Sequence, residues 1–148
     1  MPQPPSTPSA VRAAALLGAA GGLRTAMPWG ALAVRERLGR GATARFVPLA
    51  AAAGELVIDK LPQTPSRTSP PGLAGRLGSS AGAGWLIAGA PGAAAASAAA
   101  GLSAFVGERT RAAIGRRTGL PDPLIAVVED LLAIGVALAA TRQAADAG

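Results

Sequence analysis

Charge is the sharpest divider along this chain. From Leu77 to Gly107 there are 31 consecutive residues without one, more than the roughly 20 needed to cross a hydrocarbon core of about 30 Å. Pro91, within Gly89-Ala90-Pro91-Gly92, falls near the middle of the run. The pattern therefore predicts two helices, about 72–89 and 92–114, joined by a tight turn. Gly78 and Gly82, then Ser97 and Gly101, offer small-xxx-small faces on which membrane helices approach closely.

Three further apolar tracts carry isolated charges. Ala10 to Met27 holds only Arg12 and Arg24, and Pro28 should end or kink it, leaving Trp29 to Leu38 as an interfacial continuation. Phe46 to Leu61 contains Glu55, Asp59 and Lys60. Leu124 to Thr141 contains Glu129 and Asp130 and is entered through Pro121-Asp122-Pro123, a helix-start signal with Asp122 as N-cap. The expected fold class is all-α, a polytopic membrane bundle of about five short Ala/Gly-rich transmembrane helices in one domain over 10–142. Residues 1–9, with four prolines and no basic residue, and 143–148 are expected to be tails.

Composition changes the picture by naming the solvent. The chain has 148 residues, of which 38 are alanine and 20 glycine, while Leu, Ile, Val and Phe supply only 32. So little bulk is near the limit for a core in water, yet mean hydropathy is +0.37 and only 15% of residues are charged. Absence of cysteine and histidine removes thiolate chemistry, the commonest metal ligands and the commonest general base. No enzyme activity, cofactor or metal is expected. A net charge of +6 would raise nucleic-acid binding in a soluble protein. Here the charges sit between apolar tracts, so membrane lipids, not nucleic acid, are the expected partner. A homo-oligomer is also expected, because five Ala/Gly-rich helices enclose little volume.

Candidate chemistry follows from charges in apolar surroundings. A carboxylate in hydrocarbon costs at least about 2.5–3.5 kcal/mol, so it should face the bundle interior and pair or titrate. Glu55 and Asp59 share a helical face, Glu129 and Asp130 are adjacent, and Arg24 is the natural cation for them, with Arg109 its counterpart. These residues, with Thr25, form the expected polar cluster. It reads first as a pathway for an ion or small polar solute, as in a permease or channel, with a structural or assembly protein whose ion pairs lock the helices as the alternative. The proline-rich stretch PQTPSRTSPP reads as an extended loop. Its Lys60, Thr64, Ser66, Arg67, Thr68 and the nearby Arg76 could bind an anion or lipid headgroup, or simply connect helices at headgroup level.

A weak echo links Gly22-Leu23-Arg24-Thr25 to Gly107-Glu108-Arg109-Thr110, each followed by a tract with a central carboxylate. It points to two inverted two-helix repeats around a central linker helix. Counting crossings puts eight basic residues, Arg12 among them, on one side and five on the other, which predicts a multi-pass protein of the inner (cytoplasmic) membrane with its N-terminus inside.

The runs GAAGGLRTAMP (Gly18 to Pro28), GELVIDKLPQTPSRTSPPGLAGR (Gly54 to Arg76) and RRTGLPDPLIAVVEDLLAIG (Arg116 to Gly135) resemble the bacterial integral-membrane family catalogued as domain of unknown function 4126. The resemblance covers nearly the whole chain after residue 10. It implies a small polytopic membrane protein, with the family's recurring polar positions falling on Arg24, Thr25, Glu55, Asp59, Lys60, Thr64, Pro65, Ser66, Arg67, Glu129 and Asp130. It implies no activity.

Overall fold

The computed structural model describes residues 6–35, 38–39, 41–58 and 68–146. All regular structure among them is helical: α1 (Pro8–Leu23), α2 (Met27–Val34), α3 (Ala42–Ile58), α4 (Pro70–Thr118) and α5 (Asp122–Asp146). The terminal helices thus overrun the expected domain limits at both ends.

α4 is two helical arms meeting at a break. Ala88 and Gly89 leave helical geometry there, and Gly89 (φ 61, ψ −148) occupies a region open essentially to glycine alone. Pro91 then opens the second arm, where a missing N–H is harmless. The arms fold back on each other so tightly that a Cβ on Gly84 or Gly92 would overlap the other residue's carbonyl. The expected hairpin is present, with its break just ahead of the proline.

α1 ends at Arg24, whose backbone is extended (φ −143, ψ 114). Pro28 explains the position. In a continuous helix its ring would meet the Arg24 carbonyl and it could not donate to it. That carbonyl accepts from Met27 N–H at 3.1 Å in a tight turn, and α2 starts there.

α1 is the central element, packed on α4 and α5, while α2 packs mainly on α3. Gly18 and Gly22 lie directly on the backbone at Ala96 and Ala100 of α4's second arm, where any Cβ would overlap. The Ser103 hydroxyl donates to the Ala19 carbonyl at 2.8 Å. This is close small-residue packing of the kind that joins helices in lipid. Of the expected faces, Gly82 lies against Trp29 and Gly101 against Leu77, whereas Gly78 meets nothing within 4 Å.

The order of those contacts makes α1 parallel to the second arm of α4, so the expected inverted relation between these segments does not hold. Its cause is α2. Gly30 approaches Ala52 and Pro48 while residues 25–26 meet Glu55, so α2 runs antiparallel to α3 and turns the chain back. α3 consequently runs in the same sense as α1, and both bring their C-terminal ends to Arg76. Arg12 lies with Gln143 and Asp146 around one cavity, at the C-terminal end of α5. It therefore sits opposite the group of basic residues it was expected to join.

Side-chain size is distributed inside out. Among the described residues, 16 of the 20 buried apolar residues are alanine, whereas 16 large apolar side chains are exposed, including Trp85, Leu86, Leu102, Phe105, Leu131 and Leu132. α5 shows this most plainly, burying Glu129, Asp130, Ala133 and Ala137 while Val127, Val128, Leu131 and Leu132 face out. Two helices, α4 and α5, are long and apolar enough to cross a membrane by length and composition. α1 and α3 have 16 and 17 residues, about 25 Å at 1.5 Å per residue, short of a core of about 30 Å. The expectation of five full crossings narrows to an all-helical fold with two helices of spanning length.

Candidate functional site: a charge network at one end of the bundle

The break after α1 creates the site. Arg24, with 1% of its surface exposed, turns its guanidinium onto Asp130 of α5, Nε donating to Oδ1 at 2.6 Å while Nη2 pairs with the same oxygen. The sequence-predicted Arg24–carboxylate pair is thus formed, with Asp130 as its partner.

Glu55 has a different task. Interrupting the helix leaves backbone N–H groups without intrahelical acceptors. The Glu55 carboxylate, reaching from α3, accepts from Thr25 N–H and Ala26 N–H, each at 2.6 Å. An ionised acceptor makes such bonds stronger than neutral ones. Arg76 of α4 closes the circuit: Nη1 donates to the Gly22 carbonyl at 3.1 Å and Nη2 lies 3.9 Å from Glu55 Oε1. The Ser79 hydroxyl donates to the Thr25 carbonyl at 2.6 Å and receives Trp29 Nε1–H at 2.9 Å. Thr25 therefore contributes through its backbone.

A second group lies beside the first. Arg111 of α4 donates to Asp122 of α5 through Nε at 2.7 Å and also through Nη2, and its Nη1 is 3.6 Å from Glu129 Oε2. Glu129 lines a cavity of about 300 Å³ between the end of α1, the second arm of α4 and α5, with Leu23, Val106, Arg111, Ile125 and Leu132. Of the two neighbours, Asp130 thus pairs with Arg24 and Glu129 lies near Arg111.

Several expectations are revised. Arg109 is exposed and outside the cluster, because α4 is continuous helix there and the break that turns Arg24 inward has no counterpart. Arg76, expected beside the loop as an anion or headgroup contact, is 5% exposed and turned inward to Gly22 and Glu55. Thr68 donates to Glu108 Oε2 at 2.6 Å, tying the start of α4's first arm to its second. Asp59, Lys60, Thr64, Ser66 and Arg67 lie outside the described residues.

Arg76, Arg111, Ser79 and Asp122 were missed as members of the network. Arg76 borders the long uncharged run and Arg111 lies one helical turn past its far end, and that helical setting is the signal that they could turn inward.

Compared with protein-family models, curated proteins and solved structures, the chain finds no match.

Proposed function

We propose that the chain is a small multi-pass membrane protein in which the buried charges lock the helices in one arrangement. The observation that carries this reading is the inside-out distribution of side-chain size. In water, each of the sixteen exposed large side chains would forgo about 1.5–3 kcal/mol, against ~0.8 kcal/mol for a buried alanine methyl. In lipid that loss vanishes, and small residues inside allow close approach. The lock reading is favoured over a solvated polar path because Arg24, Glu55, Asp130 and Arg76 each engage a partner within the bundle. Resemblance to the family catalogued as domain of unknown function 4126 adds the proposal of membership. The test is extraction: the protein should stay in the membrane pellet at alkaline pH and leave it only with detergent. Recovery in the soluble fraction removes the reading.

A second reading, a permease or channel-like protein for an ion or small polar solute, is favoured by Glu129, an acidic side chain in the bundle that lines a cavity of about 300 Å³. Proteoliposome flux that is unchanged by Glu129→Gln, in a protein that remains folded, removes it.

A further inference from the structure

We propose that the outer face of α4's second arm holds an anionic phospholipid, its phosphate met by Arg109 and Arg116 and an acyl chain lying along Leu102 and Phe105. The site presupposes the membrane reading above and adds which lipid is selected, and where.

Positions 102, 105, 109, 112 and 116 follow one another at intervals of three and four residues, so they form one stripe along the helix. All five are exposed. The stripe changes character along its length, from the large apolar Leu102 and Phe105 to Arg109, the small Ala112 and Arg116. Depth accounts for the change. In a hairpin whose turn lies at one membrane face, a hydrocarbon core of about 30 Å takes up roughly 20 residues counted from Gly92 and ends near Ala112. Arg109 and Arg116 stand one on each side of that boundary, two turns or about 10 Å apart. Their long apolar stems let both guanidinium groups reach it.

Phospholipid phosphates lie just outside the hydrocarbon, and guanidinium takes phosphate through paired N–H groups. Among the described residues neither Arg109 nor Arg116 takes part in an ion pair. Arg111, between them in sequence, lies on another face of the helix and is engaged with Asp122. A zwitterionic lipid brings its own cation to the phosphate, whereas an anionic lipid leaves its charge to the protein. Each arginine at this level should therefore favour the anionic lipid by about fivefold. α5 supplies the contrast. It starts where Asp122 meets Arg111 and runs back along the arm, so Leu131 stands at a depth similar to that of Leu102. Its outward neighbours Leu124, Val127 and Val128 include no cation.

The chain has no native cysteine, so a bimane label on Leu102→Cys or on Leu131→Cys reports the lipid beside it. The labelled full chain is reconstituted in dioleoylphosphatidylcholine vesicles. Quenching by phosphatidylglycerol with a nitroxide on its acyl chain is compared with quenching by phosphatidylcholine carrying the same nitroxide. At Leu102 phosphatidylglycerol should be preferred by at least about fivefold, and at Leu131 the two lipids should quench alike. Arg109→Gln with Arg116→Gln should remove the preference at Leu102 while the helical spectrum stays that of the parent. Inorganic phosphate, compared with chloride at equal ionic strength, should leave the preference in place, since it has no chain to anchor it. Equal preference at Leu102 and Leu131, full preference in the glutamine variant, or displacement by inorganic phosphate overturns the proposal. If the glutamine variant does not fold, the comparison of Leu102 with Leu131 in the parent decides. Quenching of neither label by either lipid overturns the membrane reading and the site with it, whereas equal quenching by both lipids overturns the site alone.

Discussion

The two ends of this bundle are held by different forces. Around the α4 break, Gly84 lies on Gly92, and further along Gly18 lies on Ala96, so that backbone meets backbone with no side chain between. Around the α1 break, Arg24, Glu55, Arg76 and Asp130 join the elements through charges taken into the interior. The first kind of contact tolerates no added atom and the second no unpartnered charge, and the two meet at Gly22, which packs on Ala100 and gives its carbonyl to Arg76. Each depends on a break, one centred on a glycine and one set by a proline four residues downstream.

Substitutions can test that division. The largest effect is expected at the charged end. Asp130→Ala removes the carboxylate that holds the Arg24 guanidinium at 1% exposure and should cost about 3–5 kcal/mol in denaturant unfolding in detergent. Replacing Arg24 and Asp130 together by leucine should cost less than Asp130→Ala alone, since neither charge of that pair is then left behind. If the double variant is the worse of the two, the pair does more than lock helices.

Next comes the small-residue end. Gly18→Val places atoms on the Ala96 backbone and should cost about 1–3 kcal/mol, read in the same unfolding experiment. Glu55→Gln replaces an ionised acceptor of two N–H groups by a neutral one and should cost about 1–2 kcal/mol, with hydrogen exchange rising first at Thr25 and Ala26. The smallest effect has the opposite sign. Gly78 has open space where its Cβ would be, so Gly78→Ala should stabilise by about 0.5–1 kcal/mol. A loss at Gly78 equal to that at Gly18 would mean that close packing extends to the N-terminal part of α4's first arm.

Much of this arrangement is legible along the chain, for reasons that differ from element to element. The hairpin is readable because a long uncharged run containing Gly89 and Pro91 leaves few alternatives. The inward turn of Arg24 and Asp130 is readable because charges in apolar tracts must find each other. The return of the chain through α2 is not readable in this way. It depends on Glu55 reaching two N–H groups thirty positions earlier, a tertiary contact with no local pattern. That one short helix reverses α3, moves Arg12 to the other end and undoes the inverted relation drawn from Gly22-Leu23-Arg24-Thr25 and Gly107-Glu108-Arg109-Thr110. Gly18 and Gly22 did stand in the sequence as a literal GxxxG, but so many small residues share this chain that spacing alone could not single them out.

The most direct test of an inside-out membrane bundle uses the absence of native cysteine. Single cysteines at Leu131, Leu132, Ala133, Ala137 and Arg116 would be spin-labelled, reconstituted in liposomes and compared for relaxation by oxygen and by a water-soluble nickel chelate. Labels at Leu131 and Leu132 should be open to oxygen and shielded from nickel, those at Ala133 and Ala137 shielded from both, and that at Arg116 open to nickel. Nickel access at Leu131 and Leu132 equal to that at Arg116 would contradict the membrane reading.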